Sequence, residues 1–520
     1  VDCNEALRLN PNDCRALMTR ANAKLALGDY HAAVVDYTEA LRLNPGDSRT
    51  LWMRANAILG LGYDHAAVSD CDEAVRLNPS EISALLIRAN AELNLGAYEA
   101  AAADCEVVLQ LSPTDLQAFW MRGAARCGLS DFQGAISDCD EALCLNPQEP
   151  KALFIRADAK RCLGDYHSSV SDCNEVLRLQ PQSSKALWMR AMARLGLGYY
   201  HAAITDCNDA FRLSPHGLEA LWIRADAKRS LGDNHAAIVD CNEALRMNPN
   251  DSRALFVRAN ARLALGEYQD AVVDYKEVLR LDPDEVKAFW MQANAKLGLG
   301  DHAAAVADCD EALRLNPKES KALWIRAEAR CSLGQCRAAL EDCDEALRLN
   351  PNDSKALWIR ASAKIDLGDY DGAVADCTEA LRADPNEPKA FSIRANAKRG
   401  LGDFHAAVAD CNEALRLNSS ESKALWIRAD AKRLLGDHHA AVVDCNESLR
   451  LQPSDSRALW VRGCAKLCLG YYNAAVADCN EAVRLNSKEV TTLWIRADAK
   501  RCLGDYHAAV ADCTEALQMN

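Results

Sequence analysis

The chain has 520 residues, a formal net charge of −15, 26% charged residues, 49% hydrophobic residues and only 6% aromatic ones. That apolar content is enough to build packed cores and excludes a disordered chain. No run of about 18 apolar residues exists to cross a membrane as a helix, and an acidic pI near 5.3 weighs against a dedicated nucleic-acid binder.

Residues 1–13 read as the end of a helix closed at Pro11. From there thirteen of the fifteen prolines keep one clock. Pro11, Pro45, Pro79, Pro113, Pro147, Pro181, Pro215, Pro249, Pro283, Pro317, Pro351, Pro385 and Pro453 are separated by 34 residues or a multiple of 34, and Ser419 and Ser487 stand at the two missing places. With the proline at position 32, the first complete unit is residues 14–47. Fourteen complete units fill 14–489, and a fifteenth, incomplete, occupies 490–520. A fixed period of this length predicts one supersecondary unit stacked into a solenoid. Residues 1–520 are therefore expected to form a single elongated domain. The chain opens at Val1 inside a second helix and stops at Asn520 just before the next expected proline, which suggests a window on a longer array.

The unit from Ser354 is typical. Ala356, Leu357, Ala361, Ala363 and Leu367 recur at helical spacing. Gly368 suits a left-handed helix cap and Asp369 an N-cap. Ala373, Val374, Cys377, Ala380 and Leu381 form the apolar stripe of a second helix, which Pro385 stops. Position 8 is always Ala or Gly, and positions 20 and 27 are mostly Ala, so helices must approach closely there. One hairpin cannot bury its own stripe, and neighbours must stack.

A small residue at 8, glycine at 15, often tyrosine at 17, alanine at 20 and 27 and proline at 32 together resemble the tetratricopeptide repeat. Ala361, Gly368, Tyr370, Ala373, Ala380 and Pro385 carry it in this unit, and the resemblance covers essentially the whole chain. It implies an all-α, right-handed superhelical solenoid with first helices lining a concave groove, and a non-enzymatic role in binding proteins or peptides. Position 4 is Leu or Phe where the family favours Trp, position 7 is Arg for Leu, and position 11 is mostly Lys or Arg for Tyr.

Fourteen of the 23 cysteines stand at position 24, with Tyr37 and Tyr275 in the other two places. At the roughly 8–10 Å between stacked helices they exceed disulfide reach and read as small buried hydrophobes. No CxxC pair suggests a metal, no cofactor motif occurs, and the position-18 histidines, such as His31 and His405, read as surface residues. Free thiols favour a reducing compartment such as the cytoplasm. Asn250, Asn352, Asn418 and Asn446 begin N-x-S sequons and leave a glycosylated extracellular chain open.

The candidate functional chemistry lies on the first helices. All ten tryptophans occupy position 5: Trp52, Trp120, Trp188, Trp222, Trp290, Trp324, Trp358, Trp426, Trp460 and Trp494. The resemblance places this position in the groove, as an aromatic ladder that packs, binds ligand or both. First helices are basic and second helices acidic. Lys151, Lys185, Lys287, Lys321, Lys355, Lys389 and Lys423 at position 2 would give the groove a positive field. Lys and Arg at positions 11 and 12 are expected to add to it. Arg at position 7 and Asp at position 23 are expected to pair as a structural ladder, for example Arg326 with Asp342, Arg360 with Asp376 and Arg428 with Asp444.

These features point to a scaffold that binds extended or helical acidic segments in a Trp-lined basic groove. Two alternatives are a filament built by self-association and an anionic polymer, nucleic acid or acidic glycan, in the groove. Gln292, Ser392 and Cys336 mark irregular units where a specialised contact or local bend is expected.

Overall fold

The computed structural model describes residues 2–215, 217–486 and 490–519. Val1, Ser487 and Asn520, and the side chain of Asp2, lie outside the described residues. The chain forms two compact units, Val1–Ala261 and Arg262–Asn520. Each is all-α, a solenoid of helix–turn–helix repeats, with no strand among the described residues.

The hairpin of the second unit that begins at Ser354 shows why the repeat folds. Asp353 accepts hydrogen bonds from the Lys355 and Ala356 N–H groups and starts the helix Ser354–Asp366. Gly368, at φ 86°, reverses the chain. There the Gly368 N–H donates to the Ile365 carbonyl and the Asp369 N–H to the Lys364 carbonyl, so carbonyls at the helix end are satisfied. Asp369 then caps the helix Tyr370–Ala383 through the Gly372 N–H. Ala361, Ala373 and Cys377 meet inside the hairpin with no exposed surface. The need for small side chains at position 8 is explicit at Gly123 and Gly463, where an added Cβ would lie 3.0 Å from the Sγ of Cys139 and Cys479.

Stacking is one-sided. Within each unit a first helix touches the first helix of the next repeat, as Ser320–Ser332 touches Ser354–Asp366 and Pro388–Gly400 touches Ser422–Leu434. Within either unit, no pair of second helices makes such contact among the described residues. First helices are therefore crowded on one face and second helices splay on the other.

A register lock sets that stacking. Tyr30, Tyr98, Tyr166, Tyr268 and Tyr370 at position 17 each lie over a glycine at position 13 of the following repeat: Gly60, Gly128, Gly196, Gly298 and Gly400. A Cβ on Gly196 would come within 2.6 Å of the Tyr166 ring, so the aromatic ring occupies the place of the missing side chain. Where the tyrosine is replaced by Asp64, its partner becomes Asn94, whose Nδ2 donates to the Asp64 carboxylate at 2.9 Å.

Among the described residues no helix is long and apolar enough to cross a membrane. One turn departs from the glycine rule: Ser130 holds φ 62° in place of glycine. Left-handed backbone costs a residue with a Cβ roughly 1–2 kcal/mol. Ser130→Gly is expected to stabilise the first unit by about 1 kcal/mol, read as a raised midpoint in chemical denaturation.

Candidate binding face

The charge on the first helices divides into a structural part and a free part. From Asp36 to Asp512, each position-23 aspartate lies on a second helix and faces the first helix of its own hairpin. Arg360 Nε and Nη2 donate to the two carboxylate oxygens of Asp376 at 2.9 and 2.7 Å. Arg326 does the same to Asp342 and Arg428 to Asp444. The Asp376 side chain is only 7% exposed, where an unpaired carboxylate would be costly. Arg360 spends a further N–H on Asp344 of the preceding repeat at 2.8 Å, and Arg428 donates likewise to Asn412. The guanidinium is thus a bridge between repeats. Its hydrogen bonds to Asp376 outweigh burial and hold Arg360 above the ordinary arginine range.

Position 11 corrects the sequence reading. Its Lys and Arg do not face the groove as free charge. Lys364 lies 2.8 Å from Asp376, Arg330 2.6 Å from Asp342 and Lys432 2.8 Å from Asp444. Positions 7 and 11 are one helical turn apart, so both reach the same carboxylate. Position 12 is also consumed where an acid stands at position 9: Arg161 pairs with Asp158 and Arg433 with Asp430.

The position-5 side chains run along the first-helix face. Trp290, Trp324, Trp358 and Trp426 are only 6–8% exposed. Trp52, Trp120, Trp188, Trp222 and Trp460 are partly buried, and Trp494 is 41% exposed. The indole N–H groups of Trp52, Trp290, Trp358 and Trp460 are buried without an acceptor.

A rule links these rungs to position 2. Wherever a Trp rung is followed one repeat on by Lys or Arg at position 2, within either unit, the cation lies on the ring. Lys151 is 4.3 Å from the Trp120 centroid and Lys321 4.8 Å from Trp290. Lys355 is 4.8 Å from Trp324 and Lys389 4.9 Å from Trp358. Arg253 covers Trp222 and Arg457 covers Trp426 at 5.3 and 5.5 Å. Arg399 also lies 5.7 Å from Trp426, which places guanidinium groups of two other repeats against that indole.

All seven position-2 lysines are exposed. Lys185 follows a phenylalanine rung, Phe154, which sits edge-on to Trp188 at 6.3 Å. Lys287 lies at the start of Val286–Gly298. Lys423 follows Ser392 and has no ring before it.

The remaining candidates separate from this face. Cys105, Cys173 and Cys207 are buried, and burial pushes their thiols up to about 12, which makes them poor nucleophiles. Among the described residues no group of three His, Cys, Asp or Glu could hold a metal ion. Asn250 and Asn352 are exposed in turns. Asn418 caps a helix end, and its Oδ1 accepts from the Ser420 N–H. Asn446 lies within the helix His438–Leu451, its Oδ1 accepting from Arg462, and the third residue of its sequon, Ser448, is buried.

The tetratricopeptide repeat profile matches residues 18–82, 65–115, 188–252, 224–286, 290–332, 326–388 and 394–456, more than half of the chain. The chain belongs to the tetratricopeptide repeat family. Among solved structures, the Cut9–Hcn1 hetero-tetramer of the APC/C aligns with a TM-score of 0.54 at 16% identity, over 87% of this chain and 96% of that one. A tetratricopeptide repeat protein from Parabacteroides merdae aligns at 21% identity and a TM-score of 0.41, over 48% of this chain and 98% of that one. Yeast Tom70 aligns at 18% identity and 0.38, over 82% and 96%. At these identities the likeness concerns the fold. No curated protein matches the sequence. Membership of the family makes this tetratricopeptide array a protein-interaction scaffold.

Two repeats lack the position-11 cation, with Ile58 and Glu92 in its place, and the second supplies a test. Glu92 stands at position 11, where most other repeats carry Lys or Arg. It is 9% exposed, and its Oε2 has no hydrogen-bond partner. Burial, and then the charge of Asp104, push its carboxyl up to about 7 from the ordinary 4.5. Folding therefore takes up a proton, and stability falls as pH rises from about 4.5 through about 7. Glu92→Lys supplies the missing cation for Asp104. Thermal unfolding across pH is expected to show this variant more stable than wild type at pH 7.5, on the order of 2 kcal/mol, with the pH slope in that window gone.

Proposed function

We propose that the first-helix face docks extended or helical acidic segments of partner proteins, without catalysis. The observation that carries this reading is the row of exposed cations seated on tryptophan rings: Lys321, Lys355 and Lys389 in consecutive repeats. The other basic residues of the same helices are largely spent on aspartates inside the fold. Among the described residues, Lys389 alone of these three forms an ion pair, with Glu328 at 3.7 Å, and its side chain stays 53% exposed. An ammonium held over an indole loses little further freedom when a carboxylate arrives, which favours binding. Burial of Trp290, Trp324 and Trp358 under these lysines implies that ligand carboxylates meet the cations first and that ligand apolar groups touch only ring edges.

The test is fluorescence anisotropy of a dye-labelled, glutamate-rich peptide against the full chain over a salt series. Binding is expected to weaken as salt rises and to fall at least about tenfold in the Lys321→Glu, Lys355→Glu, Lys389→Glu triple variant. An affinity unchanged by both salt and charge reversal would overturn the reading.

A further inference from the structure

The first-helix face opens where the ladder loses a rung. Ser392 stands at position 5 of the helix Pro388–Gly400 and is 2% exposed, its hydroxyl turned back to donate to the Pro388 carbonyl at 3.1 Å. A cavity of about 160 Å³ remains beside it, with Trp358, Ile359, Ile393, Lys389 and Lys423 in its wall. A second hollow shares Ser392, Ile393 and Lys423 with the first and reaches Trp426 and Arg457. A cavity of roughly 150 Å³ can admit a benzene ring.

The surroundings specify what belongs there. In three consecutive repeats ending at this point, a position-2 lysine lies 4.8–4.9 Å from the tryptophan ring of the preceding repeat. Lys423 is the next lysine of that series, and the ring it would cover is the one Ser392 lacks. The opening is therefore bounded by an indole on each side, Trp358 and Trp426, and by a cation with no aromatic face of its own. Trp358 also has a buried indole N–H without an acceptor.

A carboxylate suits this corner poorly. Glu328 and Glu421 already border the cavity. Lys389 is near Glu328, and burial raises the Glu421 carboxyl against the pull of Lys423 and Lys389. A neutral ring, with its negative π face toward Lys423, meets both conditions.

We propose that the gap between Trp358 and Trp426 is a side-chain pocket for one aromatic residue of a partner protein, whose ring completes the ladder beneath Lys423. This rests on the first-helix face being a docking surface for acidic segments. It adds that the segment carries an aromatic side chain at the Ser392 repeat, and it gives an otherwise repetitive array a fixed register for its ligand.

Two probes separate the pocket from the wider face. The first is indole itself, titrated into the full chain and located by crystal soaking. It is expected to saturate and to occupy the cavity at Ser392, to bind about 2- to 5-fold more weakly to Lys423→Ala, as loss of a partly exposed cation–π contact requires, and to be excluded by Ser392→Trp. Thermal melting checks that this variant folds. If the indole at 392 is not accommodated, Ser392→Leu closes the same space with the side chain found at Leu86. The second probe is a short acidic peptide with one central tryptophan, compared with its alanine counterpart. The tryptophan peptide is expected to bind at least about tenfold tighter, and that ratio is expected to fall to near one in the filled variant. Failure of indole to occupy the cavity, or equal binding of the two peptides with a ratio unmoved by Ser392→Trp, would overturn the pocket. Indole bound in the cavity with neither peptide binding would sustain the aromatic pocket and overturn the acidic-segment reading of the face.

Discussion

The structure depends on how a buried carboxylate is satisfied. The position-23 aspartate lies between the two helices of a hairpin, where few of its atoms reach water; Asp206 and Asp274 have side chains only 3% exposed. Such a group is tolerable only when both oxygens are bonded and the charge is countered. Arginine at position 7 meets the first demand through its planar fork, and in most repeats a cation at position 11 adds to the second. The remaining N–H of the guanidinium reaches position 25 of the previous repeat, as Arg88 reaches Asp72 and Arg156 reaches Asp140. One residue therefore closes a hairpin and sets its distance from the last one. Gln292 is the exception at position 7: Asp308 keeps Lys296 as its ion-pair partner without an arginine fork, and burial raises its carboxyl despite that partner.

This constraint decides which charges are available to a ligand. Composition makes the first helices basic as a set, but most of that charge is internal. What remains is position 2, and the structure seats it on the indole wherever a tryptophan rung stands one repeat before it within either unit. The repeat core is nearly invariant, so individuality resides at positions 2, 5, 9 and 12, which change between repeats from Lys423 to Glu219, from Trp426 to Ser392, from Asp430 to Asn396 and from Arg399 to Ile365 without disturbing the fold.

Much of the architecture was legible from the chain alone. Gly368, Asp369 and Pro385 announce the turn, cap and stop by their backbone preferences, and Ala361 and Ala373 announce close approach. Arg360 with Asp376 was legible as a charge pair, because an arginine among apolar positions needs a partner. The share of Lys364 in the same carboxylate was missed, although its spacing of one helical turn from Arg360 was the signal. The seating of Tyr166 on Gly196 was missed as well: it joins consecutive repeats, and the signal was that glycine at 13 appears one repeat after tyrosine at 17. The burial of Trp358 beneath Lys389 was not legible, since ladder spacing says nothing of which way an indole lies. Ser392 was legible as an irregularity, but that it leaves a cavity follows only from the packing of Trp358 and Trp426.

The most direct measurement is a double-mutant cycle on Arg360 and Asp376, each changed to alanine singly and together, read by chemical denaturation with amide hydrogen exchange on the same samples. A bridging ion pair predicts a coupling energy of about 2 kcal/mol or more. It also predicts that Arg360→Ala lowers protection in the hairpin 354–383 and in the preceding second helix, Cys336–Leu349, through the lost contact with Asp344. Coupling within about 0.5 kcal/mol of zero, with protection lost only inside the one hairpin, would contradict the account.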